Sequence, residues 1–166
     1  MKPLHILIIV MSLLFAQTAL LAQPYIPDEV ISEATAPSAI GVSILGNPSI
    51  SISSISDYQN GVSISHNTLQ LSVSLGLSWS LQVRATDDLR YQNQSIPVSS
   101  IAVQSLNLGN RPEIFLSTTN QTLSSGLASS ILSIINLIRY RAVGGSNFLK
   151  PAGNYTTTIL FTYTAL

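Results

Sequence analysis

The chain has 166 residues, no cysteine, seven basic and seven acidic side chains, and only 8% charged residues against roughly 25% in an ordinary soluble domain. The missing thiols exclude a disulfide framework, thiolate metal sites and a lipidated N-terminal cysteine. So few charges, balanced in sign, leave no electrostatic footprint for nucleic acid or anionic lipid, and the polar surface falls to Ser, Thr, Asn and Gln.

Residues 1–22 read as a secretory signal peptide. Lys2 supplies the basic start, Ile6 to Phe15 an uncharged apolar core, and Thr18-Ala19-Leu20-Leu21-Ala22 a small-residue cleavage site. The apolar core is shorter than the roughly 20 residues of a membrane-crossing helix. Ile131 to Ile138 is too short as well, so no span is expected after cleavage. The expected product is secreted, extracellular or at the cell surface, with the periplasm in transit. Residues 23–38 hold Pro24, Pro27 and Pro37 with no periodicity, and read as an extended N-terminal arm. Residues 39–166 read as one domain.

Strand-like runs follow in order. Ala39 to Leu45 ends at Gly46-Asn47-Pro48, and Ser49 to Ile55 alternates. Asp57 to Gly61 reads as a turn, because Asn60-Gly61 suits positive φ. Val62 to Ser65 and Thr68 to Leu75 read as two strands separated by a polar turn at His66-Asn67. Ser78 to Ala85 places Trp79, Leu81, Val83 and Ala85 on one face and Ser80, Gln82 and Arg84 on the other. Thr86 to Ser95 reads as a polar loop. Strands are expected within Pro97 to Leu108, Pro112 to Ser117 and Leu137 to Val143. Leu123, Leu127, Ile131, Ile134 and Ile138 show helical spacing, which predicts one short helix near 123–135. Gly153 to Leu166 reads as one long terminal strand with Tyr155, Thr157, Ile159, Phe161, Tyr163 and Ala165 on one face. Together these runs predict an all-β fold, an Ig-like or Greek-key β-sandwich of about seven to nine strands.

Two local patterns resemble secreted bacterial families. Trp79-Ser80-Leu81 resembles the Trp-x-Leu motif of wall-binding WxL domains; the place of their second motif is taken here by Phe161-Thr162-Tyr163. Val143-Gly144-Gly145 followed by Gly153-x-Tyr155 and the alternating terminal strand is similar to the C-terminal half of pilin-like domains, of the spore-coat-U and fimbrial-subunit kind. Gly153 stands fourteenth from the end, as a glycine does in chaperone–usher pilins, with Ala165 where those have a penultimate tyrosine. The resemblance implies a β-sandwich subunit of a surface assembly, with Gly153, Tyr155, Phe161 and Tyr163 in an assembly strand.

No residue set predicts a reaction. His66 is the only histidine after residue 22, and no Gly-x-Ser-x-Gly elbow accompanies it. Asp87-Asp88 with Asn93 offers too few oxygens for the six to eight that calcium takes. Glu113 is the only glutamate of residues 39–166, and its partner across a glycosidase cleft would have to be an Asp from a distant loop. Arg139 and Arg141 share an outward strand face, suited to a carboxylate. The expectation is therefore a non-enzymatic structural subunit or adhesin with no cofactor and no metal. It would associate with itself or other surface subunits by β-strand addition. The alternative is a cell-wall or polysaccharide-binding module, with a ligand loop formed by Tyr58, Tyr91 and Asn93.

Overall fold

The computed structural model describes residues 41–108, 111–128 and 132–166, together with the backbone of residues 7–10. The arm at 23–38 and the rest of the N-terminal segment lie outside the described residues. In chain order the elements are β1 (Leu7–Val10), β2 (Gly41–Ile44), β3 (Ser49–Ile52), α1 (Ile55–Asn60), β4 (Val62–Val73), β5 (Ser78–Ala85), β6 (Leu89–Tyr91), β7 (Gln94–Ile96), β8 (Ile101–Ser105), β9 (Ile114–Phe115), β10 (Gln121–Leu127), β11 (Leu132–Ala142), β12 (Asn154–Tyr155) and β13 (Ile159–Ala165). The expected all-β class is what the structure shows. There are more strands than seven to nine because several are only two to four residues long.

Two sheets carry most of the fold. One has five strands in the order β2-β4-β11-β8-β9, the other three in the order β10-β5-β13. Their inner rows share one core. Leu69, Leu71, Val103, Ile138 and Tyr140 come from the first sheet, and Trp79, Leu81, Val83, Leu123 and Ile159 from the second. Each such aliphatic side chain contributes about 1.5–3 kcal/mol by leaving water. β5 has the clearest pattern, with every second residue buried from Trp79 to Ala85. A smaller sheet, β12-β1-β3, sets β1 between two strands, and β6 and β7 form a hairpin.

β4 is one strand, where the sequence suggests two. Asn136 pairs with Leu69 and Leu137 with Asn67, so Thr68 bulges out of register. The bulge points Thr68 into the core, where its hydroxyl accepts a hydrogen bond from Tyr140 Oη at 2.8 Å. Burial pushes the Tyr140 phenol well above its ordinary value. His66-Asn67 therefore lies mid-strand, with His66 Nδ1 3.1 Å from Thr68 Oγ1. Nearby, buried Asn136 accepts from Ser105 Oγ at 2.9 Å.

Among the described residues of 123–135 there is no helix. Residues 123–127 end β10 and residues 132–135 begin β11, which pair with β5 and β4. Helical spacing arose by coincidence: Leu123 and Ile138 are buried, but Leu127 is 66% exposed. Ser- and Ile-rich segments gain more as strands when long partners wait on both sheets. The one α-helix among the described residues is α1, six residues long, where a turn was expected. Ser54 caps it: its side chain accepts from Asp57 N, and Asp57 Oδ2 accepts from Ser54 N at 2.9 Å, a capping box. Backbone N–H groups of Ser53 and Ser54 hold the Asp57 carboxyl below its usual range.

Candidate functional site

The terminal segment keeps its period but not its continuity. Tyr155, Thr157 and Ile159 are buried, and Phe161 and Tyr163 are half-buried against the core, as the alternation predicts, but Ala165 on the same face is exposed where the strand runs past the core. The expected single strand is nevertheless two. β12 pairs with β1, whereas β13 pairs with β5. Between them Thr157 Oγ1 donates to Asp87 C=O at 2.7 Å, and Thr156 and Arg90 exchange backbone bonds of 3.0 and 2.9 Å. Those bonds to the β6 segment hand the chain from one sheet to the next.

β13 is an edge. The N–H of Leu166 donates to Ser78 C=O, and Thr158 C=O accepts from Thr86 N–H. In an antiparallel ladder the bonded residues alternate, so Leu160, Thr162 and Thr164 also direct their main-chain groups at β5. Phe161, Tyr163 and Ala165 then aim theirs away from the sheet. Among the described residues none of these meets a ladder partner, although β2 passes close by. Ile159 to Ala165 carries no charge, no proline and no register shift. Edge strands are ordinarily blunted by one of those devices.

The structure brings together three of the residues singled out in the sequence, Tyr91, Gly153 and Tyr155. The Tyr91 and Tyr155 rings meet with centroids 5.6 Å apart. Gly153 packs on the Tyr91 ring so closely that a Cβ there would overlap it. Tyr155 Oη donates to Pro151 C=O at 3.1 Å. Burial raises the Tyr155 phenol above its ordinary value, and the nearby Tyr91 and Tyr58 add to the shift. Phe161 and Tyr163 sit elsewhere, in β13. Of the residues expected in a ligand loop, Tyr58 lies in α1, Tyr91 in β6, and exposed Asn93 at the β6–β7 turn, where Gln92 takes φ 51°. Tyr91 is drawn inward because its ring fills the space that Gly153 leaves open.

Tyr58 instead helps line a cleft of about 400 Å³ with Ile55, Gln59, Gly145, Ser146 and Leu149. Its walls are locked together by two glycines. A Cβ on Gly144 would lie 2.7 Å from Gly61 N and 2.9 Å from Tyr58 O, and one on Gly61 would overlap Ala142 O. Gly145 N–H donates to Tyr58 C=O at 2.7 Å. This interlock escaped the sequence reading, although Asn60-Gly61, Gly144-Gly145 and the Ser54-x-x-Asp57 capping signal were its traces.

The residues weighed for chemistry are engaged structurally. Asp87 pairs with Arg90 at 2.8 Å, and Asp88 Oδ1 accepts from Val98 N–H at 2.9 Å. Among the described residues no group of three or more His, Cys, Asp or Glu side chains is placed to hold a metal. Glu113 takes a bidentate pair of hydrogen bonds from Arg141, at 2.9 and 2.5 Å, with Arg139 3.8 Å away. The Arg141 bonds, with the charges of both arginines, hold the Glu113 carboxyl below its ordinary value against the opposing effect of burial. A carboxyl with a lowered pKa stabilises the fold above its unfolded value, and that contribution disappears as pH falls through the folded one. Glu113→Gln is therefore expected to cost about 1 kcal/mol at neutral pH. It should also flatten the acid side of a melting-temperature profile; an unchanged acid side would show that the pair is idle.

Compared with family models, with curated proteins and with solved structures, the chain matches none.

Proposed function

We propose that this chain is a non-enzymatic, exported structural subunit of a surface assembly, joined to its neighbours by β-strand addition. The observation that supports this most is the β13 edge, seven residues long, uncharged and without a ladder partner among the described residues. An extended segment laid on it would gain main-chain bonds at Phe161, Tyr163 and Ala165, and its alternate side chains would set the register. The segment that supplies the strand is the arm of a neighbouring copy, residues 23–38. It carries three prolines, Pro24, Pro27 and Pro37, and three acidic residues, Asp28, Glu29 and Glu33.

Deleting Gln23 to Ala36 from the mature protein is expected to abolish polymers while leaving a folded monomer, read by light scattering and circular dichroism. A full-length mature protein that stays monomeric at high concentration would end this reading.

A further inference from the structure

We propose that β3 and β12 form a strand seat that Leu7–Val10 plugs from within the same chain, and that this plug holds back assembly. The second half of that statement rests on the strand-addition reading above; the first does not.

The seat follows from the pairing. β1 runs antiparallel to β3, with Leu7 opposite Ile52, Ile8 opposite Ser51, Ile9 opposite Ile50 and Val10 opposite Ser49. On its other side β1 runs parallel to β12, with Ile8 opposite Asn154 and Ile9 opposite Tyr155. Among the described residues β3 and β12 have no other ladder partner in this sheet. They do not pair with each other, so β1 is what makes both of them strands. Ile50, Ile52 and Tyr155 are fully buried, which places the flanking main chain beside the core. Main-chain groups in such surroundings need hydrogen-bond partners. Take β1 away and two facing strand edges are left unsatisfied at once. The β13 edge offers bonds on one side only.

The N-terminal segment suits a plug. Leu7-Ile8-Ile9-Val10 is uncharged, has no proline and so keeps a donor at every residue, and three of its four residues are β-branched. It also belongs to the stretch whose sequence reads as a removable leader. Loss of that stretch would convert a closed seat into an acceptor for an extended segment of a second copy. Retention keeps the seat closed.

The test uses the full chain, which has no cysteine of its own, so an introduced pair reports only the designed contact. Ile8→Cys with Ser51→Cys is expected to form an intramolecular disulfide on mild oxidation, because directly opposed strand residues bring their Cβ atoms within about 5.5 Å. With only the β13 edge left open, the oxidised protein should form fewer multimers than the reduced one. Ile9→Pro removes a donor in the middle of the plug and should evict it. Amide exchange at Ser49 to Ile52 and at Asn154-Tyr155 should then accelerate about tenfold or more, and multimers should increase. Failure of the cysteine pair to close, or exchange unchanged by Ile9→Pro, would overturn the seat. Equal assembly of the locked and evicted proteins would overturn the restraint. Faster exchange with no multimers at any concentration would keep the plug and remove strand addition.

Discussion

Gly144→Ala is expected to destabilise the fold by about 2–5 kcal/mol. Two costs combine. Gly144 has φ 78°, where an L side chain is strained. Its added methyl would also press on the backbone of Gly61 and on Tyr58 O, at 2.7 and 2.9 Å. Neither neighbour yields easily. Gly61 N is bonded to Asp57 O and Tyr58 O to Gly145 N, so moving them unwinds α1 or breaks the turn after β11. Gly76→Ala is the control. Gly76 has the same φ of 78° but open space around its missing Cβ, so it should cost only about 1–2 kcal/mol. Urea denaturation of both variants isolates the clash from the strain. Equal losses would mean that the close approach of the two glycines is not what holds α1 to the cleft.

That interlock also shows what the sequence could and could not disclose. β5 was legible residue by residue, because one of its faces meets the core and the other does not, and the period of two survives in the side chains. The burial of Tyr155, Thr157 and Ile159 was legible for the same reason. The break between β12 and β13 was not. Alternation records which face is inside but not which strand lies alongside, and Tyr155 and Ile159 keep one phase while pairing in different sheets. Thr68 was misplaced in a similar way. A bulge shifts the phase of β4 by one residue and, seen without its partner, resembles a turn between two strands. The β6–β7 hairpin stayed hidden in a polar stretch because Leu89 and Ile96 are its only buried positions. The spacing of Leu123, Leu127 and Ile131 fitted a helix only while β5 and β4 were out of view. Of the candidate site, Tyr155 stood out in the alternation and Gly153 through the resemblance to pilin-like domains. Their contact with Tyr91 depends on a crossing from β6 to the terminal segment that no local pattern encodes.

Tyr155→Ala is expected to cost about 3–5 kcal/mol, as removal of a fully buried aromatic ring usually does. The ring is the point at which the terminal segment, β6 and the N-terminal strand converge. It packs on Tyr91, and its backbone pairs with Ile9. Tyr155→Phe should lose only the hydrogen bond to Pro151 C=O, about 1 kcal/mol. The two variants also separate at high pH. Burial raises the Tyr155 phenol, so the unfolded chain gives up that proton first as pH climbs. The stability present below pH ~10 is then lost as pH rises towards the folded value. Tyr155→Phe removes one such proton, leaving that of Tyr140, and should make the alkaline fall shallower. A Tyr155→Ala protein as stable as Tyr155→Phe would mean that the ring does not fill the core, and that the meeting of β6 with the terminal segment is held by the backbone bonds between Arg90 and Thr156 alone.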